Sequence, residues 1–427
     1  RIKNFVHLKK MKAPITLLEF NELSFDLIQK YAKLGELKNF KKAIDKYGIN
    51  ETSSEEEYHL LEPWIQWVTA HSGLEFKEHK TFRLGDIKNN QQFFWETLHK
   101  SGIKSCLISP MNAKNNNLKG NIFFPDPWTE TSISGNWILK KVHSTVSKLV
   151  KNNAQNKITF NNIFTLLIGF AFFSRIKNYP KYIYFALTSF KFKWRRAMFL
   201  DIFLFDIFIF FTKRKIFDIN LLFLNGAAHI QHHYYLSSYQ HSIEDLNPEW
   251  YCPKNKDPVL EIFKLYDYFL EESFQRKKNQ RLMVVTGLSQ KPIDKPSFYW
   301  RLNDHEDFLR QYNISFKNVM PLMSRDFIIN FENEASCKIS EEKMSNITIN
   351  NEKIFHTDNR GNSLFVSLVY DKEINHDSKL FKQVSLVALK NSIHNEKGYI
   401  LDTSEKINVE KFKLKFLNDE IINHFNK

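Results

Sequence analysis

Cysteine is scarce and scattered: Cys106, Cys252 and Cys337 are an odd, widely spaced trio with no CxxC pair, which argues against both a disulfide framework and a cysteine-ligated zinc site. A reducing compartment fits that usage. The chain also lacks a Walker phosphate loop, a Gly-rich dinucleotide fingerprint and any recognisable nucleic-acid module. No internal repeat is present, so repeat architectures are excluded. The opening RIKNFVHLKKMKAPITLLEF has neither the apolar h-region nor the small-residue cleavage site of a signal peptide. Residue 1 is Arg rather than Met, so the start is read as truncated and export stays open. The expected location is cytoplasmic, with a membrane-peripheral one as the alternative.

What is present is the composition of a globular chain. Hydrophobic residues make up 43% and charged residues 25% of 427 positions, enough to bury a large core. The net charge of +14 favours anionic partners such as phosphoesters, nucleic acid or acidic lipid headgroups. Against this stands solvated lysine with no partner, in a sequence drifting toward Asn, Lys, Ile and Phe.

Residues 15–20 (ITLLEF) form a short apolar run suited to a buried strand, and 24–31 then reads as a helix opened by Ser24. The alternation recurs at 93–100 (helix) and 104–108 (strand), and again at 258–275 (amphipathic helix) and 281–286 (RLMVVT, strand). Helix alternating with strand implies a mainly parallel sheet covered on both faces. Residues 130–215 read as a helical insertion and 318–384 as a small α+β lobe, with strands in DFIINFENE, KIFHTDN and SLFVSLVY. The remainder, 1–129, 216–317 and 385–427, is assigned to one α/β core, onto which the tail 405–425 packs as a helix.

Two apolar stretches of the insertion, 158–174 and 198–212, invite a membrane reading. The first is short and holds two Asn; the second carries Asp201 and Asp206, each expensive at bilayer depth. Both are expected to be buried helices, with a membrane-surface cap as the alternative. Between them lies a run of Lys, Arg and aromatic residues that could cover an anionic ligand or a headgroup layer, or simply be solvated.

The most informative segment for chemistry is 225–233 (NGAAHIQHH), directly after the apolar run INLLFL. Ligands of parallel sheets gather at the carboxyl ends of strands. If this loop turns into a helix, Asn225 and His229 sit one turn apart and can converge on one ion, with His232 three residues further on the same stripe. His232 or His233 could instead bind phosphate oxygens or move a proton. The plain alternative is packing among Tyr234 and Tyr235. Asp126, between two prolines in FFPDPWT, reads as a turn residue, and His356 and Asp358 as the end of a hairpin in the lobe.

A strand ending in an acid, then three residues, then His, resembles the second metal motif of the alkaline phosphatase superfamily, especially its type I phosphodiesterase/nucleotide pyrophosphatase branch. Here Asn225 stands in place of the acid. ITLLEFNEL is similar to the family's first strand, whose metal-binding aspartate would correspond to Glu19 or Asn21. Residues 67–79 (WVTAHSGLEFKEH) look like its Trp-to-Thr-Gly segment ending in His, with Ser72-Gly73 and His79 in those places. SIHNEKG at 392–398 is similar to the Gly-x-His-x-x-x-Gly loop that supplies the last metal ligand, here His394.

The resemblance implies an alkaline phosphatase-like α/β fold and a divalent-metal site, with departures. The family's nucleophilic hydroxyl should fall near Glu62 or Pro63, and neither carries one; Thr69 is the nearest hydroxyl but lies elsewhere in the segment. RLMVVT continues into Gly287-Leu288-Ser289-Gln290 rather than an Asp-His pair. One of two metal sites is therefore dismantled, leaving Asn225, His229 and His394, with Glu19 or Glu62 supplying charge. Glu62 could ligate the metal, act as a base or serve as a nucleophile, or else cap a helix or form an ion pair. The expectation is a hydrolase or transferase of a phosphoester or related anionic ester, assisted by one zinc or manganese ion and capped by the insertion. The alternative is a catalytically degenerate descendant, without metal, that binds an anionic glycan, a lipid headgroup or a partner protein. A third is a membrane-associated protein that modifies a polymer.

Overall fold

The computed structural model describes residues 12–426 except 56, 88–90, 152–159, 215–216, 242–245, 277–279, 323–324, 375–379 and 405–411. The apolar runs become the centre of an eight-stranded sheet. Five consecutive strands, starting from one edge, are parallel, in the spatial order Ile122–Phe124, Ser105–Ile108, Ile219–Leu224, Ile15–Phe20 and Arg281–Val285. Lys397–Asp402 then adds antiparallel to Arg281–Val285 and is followed by Asn50–Ser53 and Phe412–Lys413. Every residue of Ile15–Phe20 and Ile219–Leu224 is buried, as a sheet covered on both faces requires.

The strand pleat splits the core in two. Leu18, Phe20, Leu222, Leu224 and Val284 face a cluster built from the helices Phe25–Lys33, Lys38–Tyr47 and Pro258–Arg276 and from the insertion. Leu17, Leu221, Phe223, Met283 and Val285 face the opposite cluster, which holds Trp67, Phe94, Trp95 and Ile421. The tail helix Phe416–Asn426 contributes to this second layer; the segment 405–411 before it lies outside the described residues. The expected α/β architecture, a mainly parallel sheet between helices, is therefore the one observed.

The insertion is helical, through Trp137–Lys151, Phe160–Phe173, Tyr179–Thr188 and Arg195–Arg214. Asp201 and Asp206 are both buried inside it. Asp206 accepts hydrogen bonds from the Arg175 backbone N–H (2.8 Å), Arg175 Nε (2.6 Å), Asn178 Nδ2 (2.7 Å) and the Tyr182 hydroxyl (2.9 Å). Asp201 accepts from the Tyr266 hydroxyl at 2.6 Å and from the Gly226 N–H at 3.0 Å. Arg195–Arg214 is buried along most of its length, as expected of an apolar helix whose acids are satisfied by protein. Phe160–Phe173 departs from the expectation of burial, because Ile163, Phe164, Leu167 and Phe172 are exposed. Among the described residues, no helix is long and apolar enough to cross a membrane.

The small lobe has its own core, in which Phe298, Trp300, Phe327, Ile329, Leu364, Val366 and Leu389 meet. Its four-stranded antiparallel sheet runs Phe355–Asn359, Ser363–Leu368, Asp326–Asn330, Asn318–Pro321. His356 and Asp358 lie on the first of these strands, and Asp358 is paired with Arg360. A long antiparallel ribbon, Ser289–Leu302 with Val384–Asn395, joins the lobe to the main sheet.

Candidate metal centre

The strand Ile15–Phe20 ends its ladder at Phe20, and the chain then crosses the carboxyl edge of the sheet. The Asn21 N–H donates to the Leu224 carbonyl at 3.0 Å and the Glu22 N–H to the Thr286 carbonyl at 3.0 Å. Glu22 takes a left-handed backbone (φ 55°), and its side chain is buried at the carboxyl ends of three parallel strands.

Two imidazoles converge there. Asn225 is the N-cap of the helix Gly226–Tyr234, which follows the strand Ile219–Leu224 and carries His232. Gly226 permits a close approach: a Cβ at that position would stand 2.2 Å from Asp201 Oδ2. His394 arrives from the far end of the ribbon strand Val384–Asn395. Glu22 Oε2 lies 3.0 Å from His232 Nε2 and 3.3 Å from His394 Nε2, and the two Nε2 atoms are 3.3 Å apart. Among the described residues these three form the only group with donor atoms spaced to hold a metal ion.

The cluster is supported from behind. Gln290 Nε2 donates to Glu22 Oε2 at 2.6 Å and to the Ala228 carbonyl at 3.0 Å, and Gln290 Oε1 accepts from the Ser392 hydroxyl at 2.6 Å. The Gln231 side chain donates to the Glu22 carbonyl at 2.8 Å. Burial acts to raise the Glu22 pKa, but the neighbouring His394 and His232 outweigh it and hold the carboxyl well below its usual range. Burial likewise opposes charging His394, and Glu22 more than offsets it, so that imidazole is shifted upward.

Glu62 stands beside this group. It is the N-cap of the helix Pro63–Ser72, yet its side chain makes no capping bond and lies 3.7 Å from His394 Nδ1. Burial raises its pKa, partly offset by His394 and, among further groups, Lys390. It keeps a third of its side-chain surface exposed, so it is the carboxylate of the cluster open to solvent.

The other residues singled out in the sequence are placed as follows. Asn21 and Asn225 are together: Asn21 Nδ2 donates to Asn225 Oδ1 at 2.7 Å and to Glu22 Oε1 at 3.0 Å, while Asn21 Oδ1 accepts from the Trp67 indole at 2.8 Å. Both amides are thus engaged with each other beside the cluster. Glu19 points instead into the second core layer and meets His71 Nε2 at 2.7 Å, both groups fully buried. His229 is exposed and packs on His233, with ring centroids 4.8 Å apart. His233 Nδ1 donates to the Leu389 carbonyl at 2.9 Å. Thr69 is hydrogen-bonded to His79 at 3.1 Å inside its own helix-turn segment. Asp126 organises its loop, accepting from the backbone of Asn112, Trp128 and Thr129 at 2.8 Å each. The expected cationic cover is partly spent on structure, since Arg175 is bound by Asp206 and Glu272 and Arg195 by Glu261.

Glu22, Gln290 and Ser392 were not singled out in the sequence. Glu22 lay within the quoted ITLLEFNEL, and the left-handed turn at its own position is what aims it at the site.

A carboxylate and two imidazoles at the carboxyl edge of a parallel sheet define a candidate metal centre in an α/β protein. No family model matches the chain, and no curated protein matches it. Among solved structures, the chain is similar to phosphonoacetate hydrolase from Sinorhizobium meliloti 1021 in complex with phosphonoacetate, with TM-score 0.45 and 8% identity over 97% of this chain and 96% of that one. It is also similar to human ectonucleotide pyrophosphatase/phosphodiesterase 5, with TM-score 0.42 and 10% identity over 97% and 95%. The murine form of the latter, in complex with AMP, gives 0.42 and 9% over the same shares.

Proposed function

We propose that this chain is a hydrolase or transferase of an anionic ester, a phosphoester first, that works with one divalent cation held by Glu22, His232 and His394. The observation that carries the reading is the triangle of 3.0, 3.3 and 3.3 Å between their donor atoms. Ligands at about 2.0–2.1 Å around a tetrahedral zinc stand about 3.3–3.4 Å from one another, so these atoms have the spacing of one face of such a site. Two imidazole nitrogens this close cannot both present a proton to the same carboxylate oxygen without crowding each other. Three lone pairs facing one cation remove that conflict. The set of one carboxylate and two imidazoles suits zinc or manganese and leaves positions open for water or substrate.

Such an ion, when bound, would polarise an ester oxygen and acidify a water. The protein supplies the rest. Gln290 fixes the Glu22 carboxylate, and Glu22 fixes both rings. Glu62 and the neighbouring backbone at Leu61 orient His394 through its Nδ1 side, the arrangement that commonly steadies a metal-bound histidine. Glu62, raised by burial and partly open to solvent, accepts the proton of an attacking water and returns it to the leaving group. Lys390, near enough to influence Glu62, places positive charge where an anionic substrate would enter.

A second reading, a non-catalytic binder of an anionic ligand, is favoured by one observation: Glu22 Oε2 is already met by Gln290 at 2.6 Å, so the cluster has an internal partner without an ion. Metal analysis after equilibration with zinc and with manganese, combined with assays on phosphomonoester, phosphodiester and sulfate-ester chromogens, separates the two. The hydrolase reading expects about one equivalent of metal and turnover, both lost in Glu22→Gln and in His232→Ala, and both kept in His229→Ala. Protein that takes up no metal and turns over none of these esters supports the binder.

A further inference from the structure

The insertion carries a feature unrelated to the metal centre. Helices Phe160–Phe173 and Tyr179–Thr188 present the same outward pattern twenty residues apart: Ile163, Phe164 and Leu167 on the first, Ile183, Tyr184 and Leu187 on the second, all exposed. Positions i, i+1 and i+4 share one face of a helix. Both helices pack their inner faces on the same support. Phe173, on the side away from the exposed stripe, meets Phe210 and Phe211, and Tyr182 meets Phe199, all on Arg195–Arg214. The two outward faces therefore point away from that common helix. Leu167 is 60%, Leu187 70% and Phe190 83% exposed, a concentration of large apolar groups that an isolated surface rarely carries.

The charge carried by this stretch of chain is of one sign, and the acids of the neighbouring helix Pro258–Arg276 that reach it, Glu261 and Glu272, are taken up by Arg195, Arg175 and Lys177. No Asp or Glu occurs between Glu130 and Asp201. Immediately after Phe190 the exposed Lys191, Lys193 and Arg196 follow. Apolar tips beside a basic rim, on helices too short to span, are the composition of a helix pair that lies in the interfacial layer of a bilayer.

We propose that this face docks on an anionic lipid bilayer, with Ile163, Leu167, Ile183 and Leu187 entering the acyl boundary and Lys191, Lys193 and Arg196 meeting the headgroups. The lipid is recognised by its surface charge and apolar interior, and the docking is independent of whether the metal centre is catalytic. Partial burial of apolar groups combined with screened attraction makes the attachment reversible and salt-sensitive.

The test is flotation of the full chain with phosphatidylcholine vesicles and with mixed phosphatidylcholine/phosphatidylglycerol vesicles, at low and high salt. Binding is expected to the mixed vesicles only, and to fall several-fold at high salt. Lys191→Glu with Lys193→Glu is expected to weaken it by at least about tenfold, since each basic group near such a surface contributes roughly fivefold. Ile183→Asp with Leu187→Asp is expected to abolish it without changing the thermal midpoint, because these side chains are exposed; Leu167→Asp on the neighbouring helix is the second variant, should that pair disturb folding. The proposal is overturned by absence of binding to mixed vesicles or by equal binding to neutral ones. It is equally overturned if the aspartate variants leave binding intact, or if they dissolve a self-associated form of a chain that ignores vesicles.

Discussion

His232 Nε2 and His394 Nε2 stand 3.3 Å apart although 162 positions separate them in the chain. One is delivered by a helix that follows a central strand, the other by a ribbon that leads to the small lobe. Glu22 sits against both, and the buried carboxylate is what makes their approach tolerable. If the three form a metal centre, His394→Ala abolishes stoichiometric zinc binding while leaving the far-ultraviolet circular dichroism unchanged.

Glu62 is expected to separate binding from turnover. Glu62→Gln keeps the shape and the metal but removes the proton acceptor, so kcat on an accepted ester falls by about 10²–10⁴ with KM little changed. Retained kcat would remove Glu62 from the reaction and leave it a group that orients His394.

Gln290 acts through Glu22 rather than on substrate. Gln290→Leu deletes the 2.6 Å bond to Glu22 and leaves the Ser392 hydroxyl only its longer bond to the Gln231 carbonyl at 3.2 Å. Metal affinity is expected to drop roughly 10- to 100-fold, the usual effect of losing a group that steadies a ligand, as read by competition with a chromophoric chelator.

Asp206 holds the insertion together from inside. Asp206→Ala strands the partly buried Arg175 and removes acceptors from Asn178 and Tyr182, so unfolding in urea is expected to be easier by about 3–5 kcal/mol. Arg175 keeps Glu272 as a second partner, which places the expected loss toward the lower figure.

Asp201 gives a pH signature. Burial pushes its carboxyl from 3.8 up to about 7, with Tyr266 and the Gly226 N–H acting in the opposite direction. The folded chain therefore binds this proton over a range where the unfolded chain has released it. The contribution is fully present below about pH 4 and is lost as the pH rises through about 7. Comparing urea midpoints at pH 5 and pH 8, Asp201→Asn is expected to gain on the natural chain at the higher pH; an identical pH dependence in the two proteins contradicts this assignment.

Much of the sheet was legible because its central strands are continuous apolar runs whose type is set locally. The helices at 25–33 and 258–276 declared themselves by apolar spacing. The ribbon Ser289–Leu302 did not, since Pro292 and Pro296 interrupt its pattern; the strand survives because it is paired on one side only.

At the site, the spacing after the strand Ile219–Leu224 singled out Asn225, His229 and His232, and the family resemblance added His394, Glu62 and Glu19, with His229 rather than His232 taken as the ligand. A helix turns about 100° per residue, so the choice between His229 and His232 depends on the angle at which the helix leaves its strand. That angle is fixed by Gly226 against Asp201 and by Asn225 against Asn21, contacts between distant segments. Glu19 and Glu22 differ in the same way: the strand pleat buries the first against His71, which packs on Trp95, and a left-handed backbone swings the second to the rim.

The ribbon has one more implication. Its two strands root the small lobe, and each also carries a member of the site, Gln290 on one and His394 on the other, with His394 directly opposite Gln290 in the ladder. The stem that carries the lobe therefore also sets Gln290 and His394 side by side, so a slip in its register would displace the two side chains relative to each other.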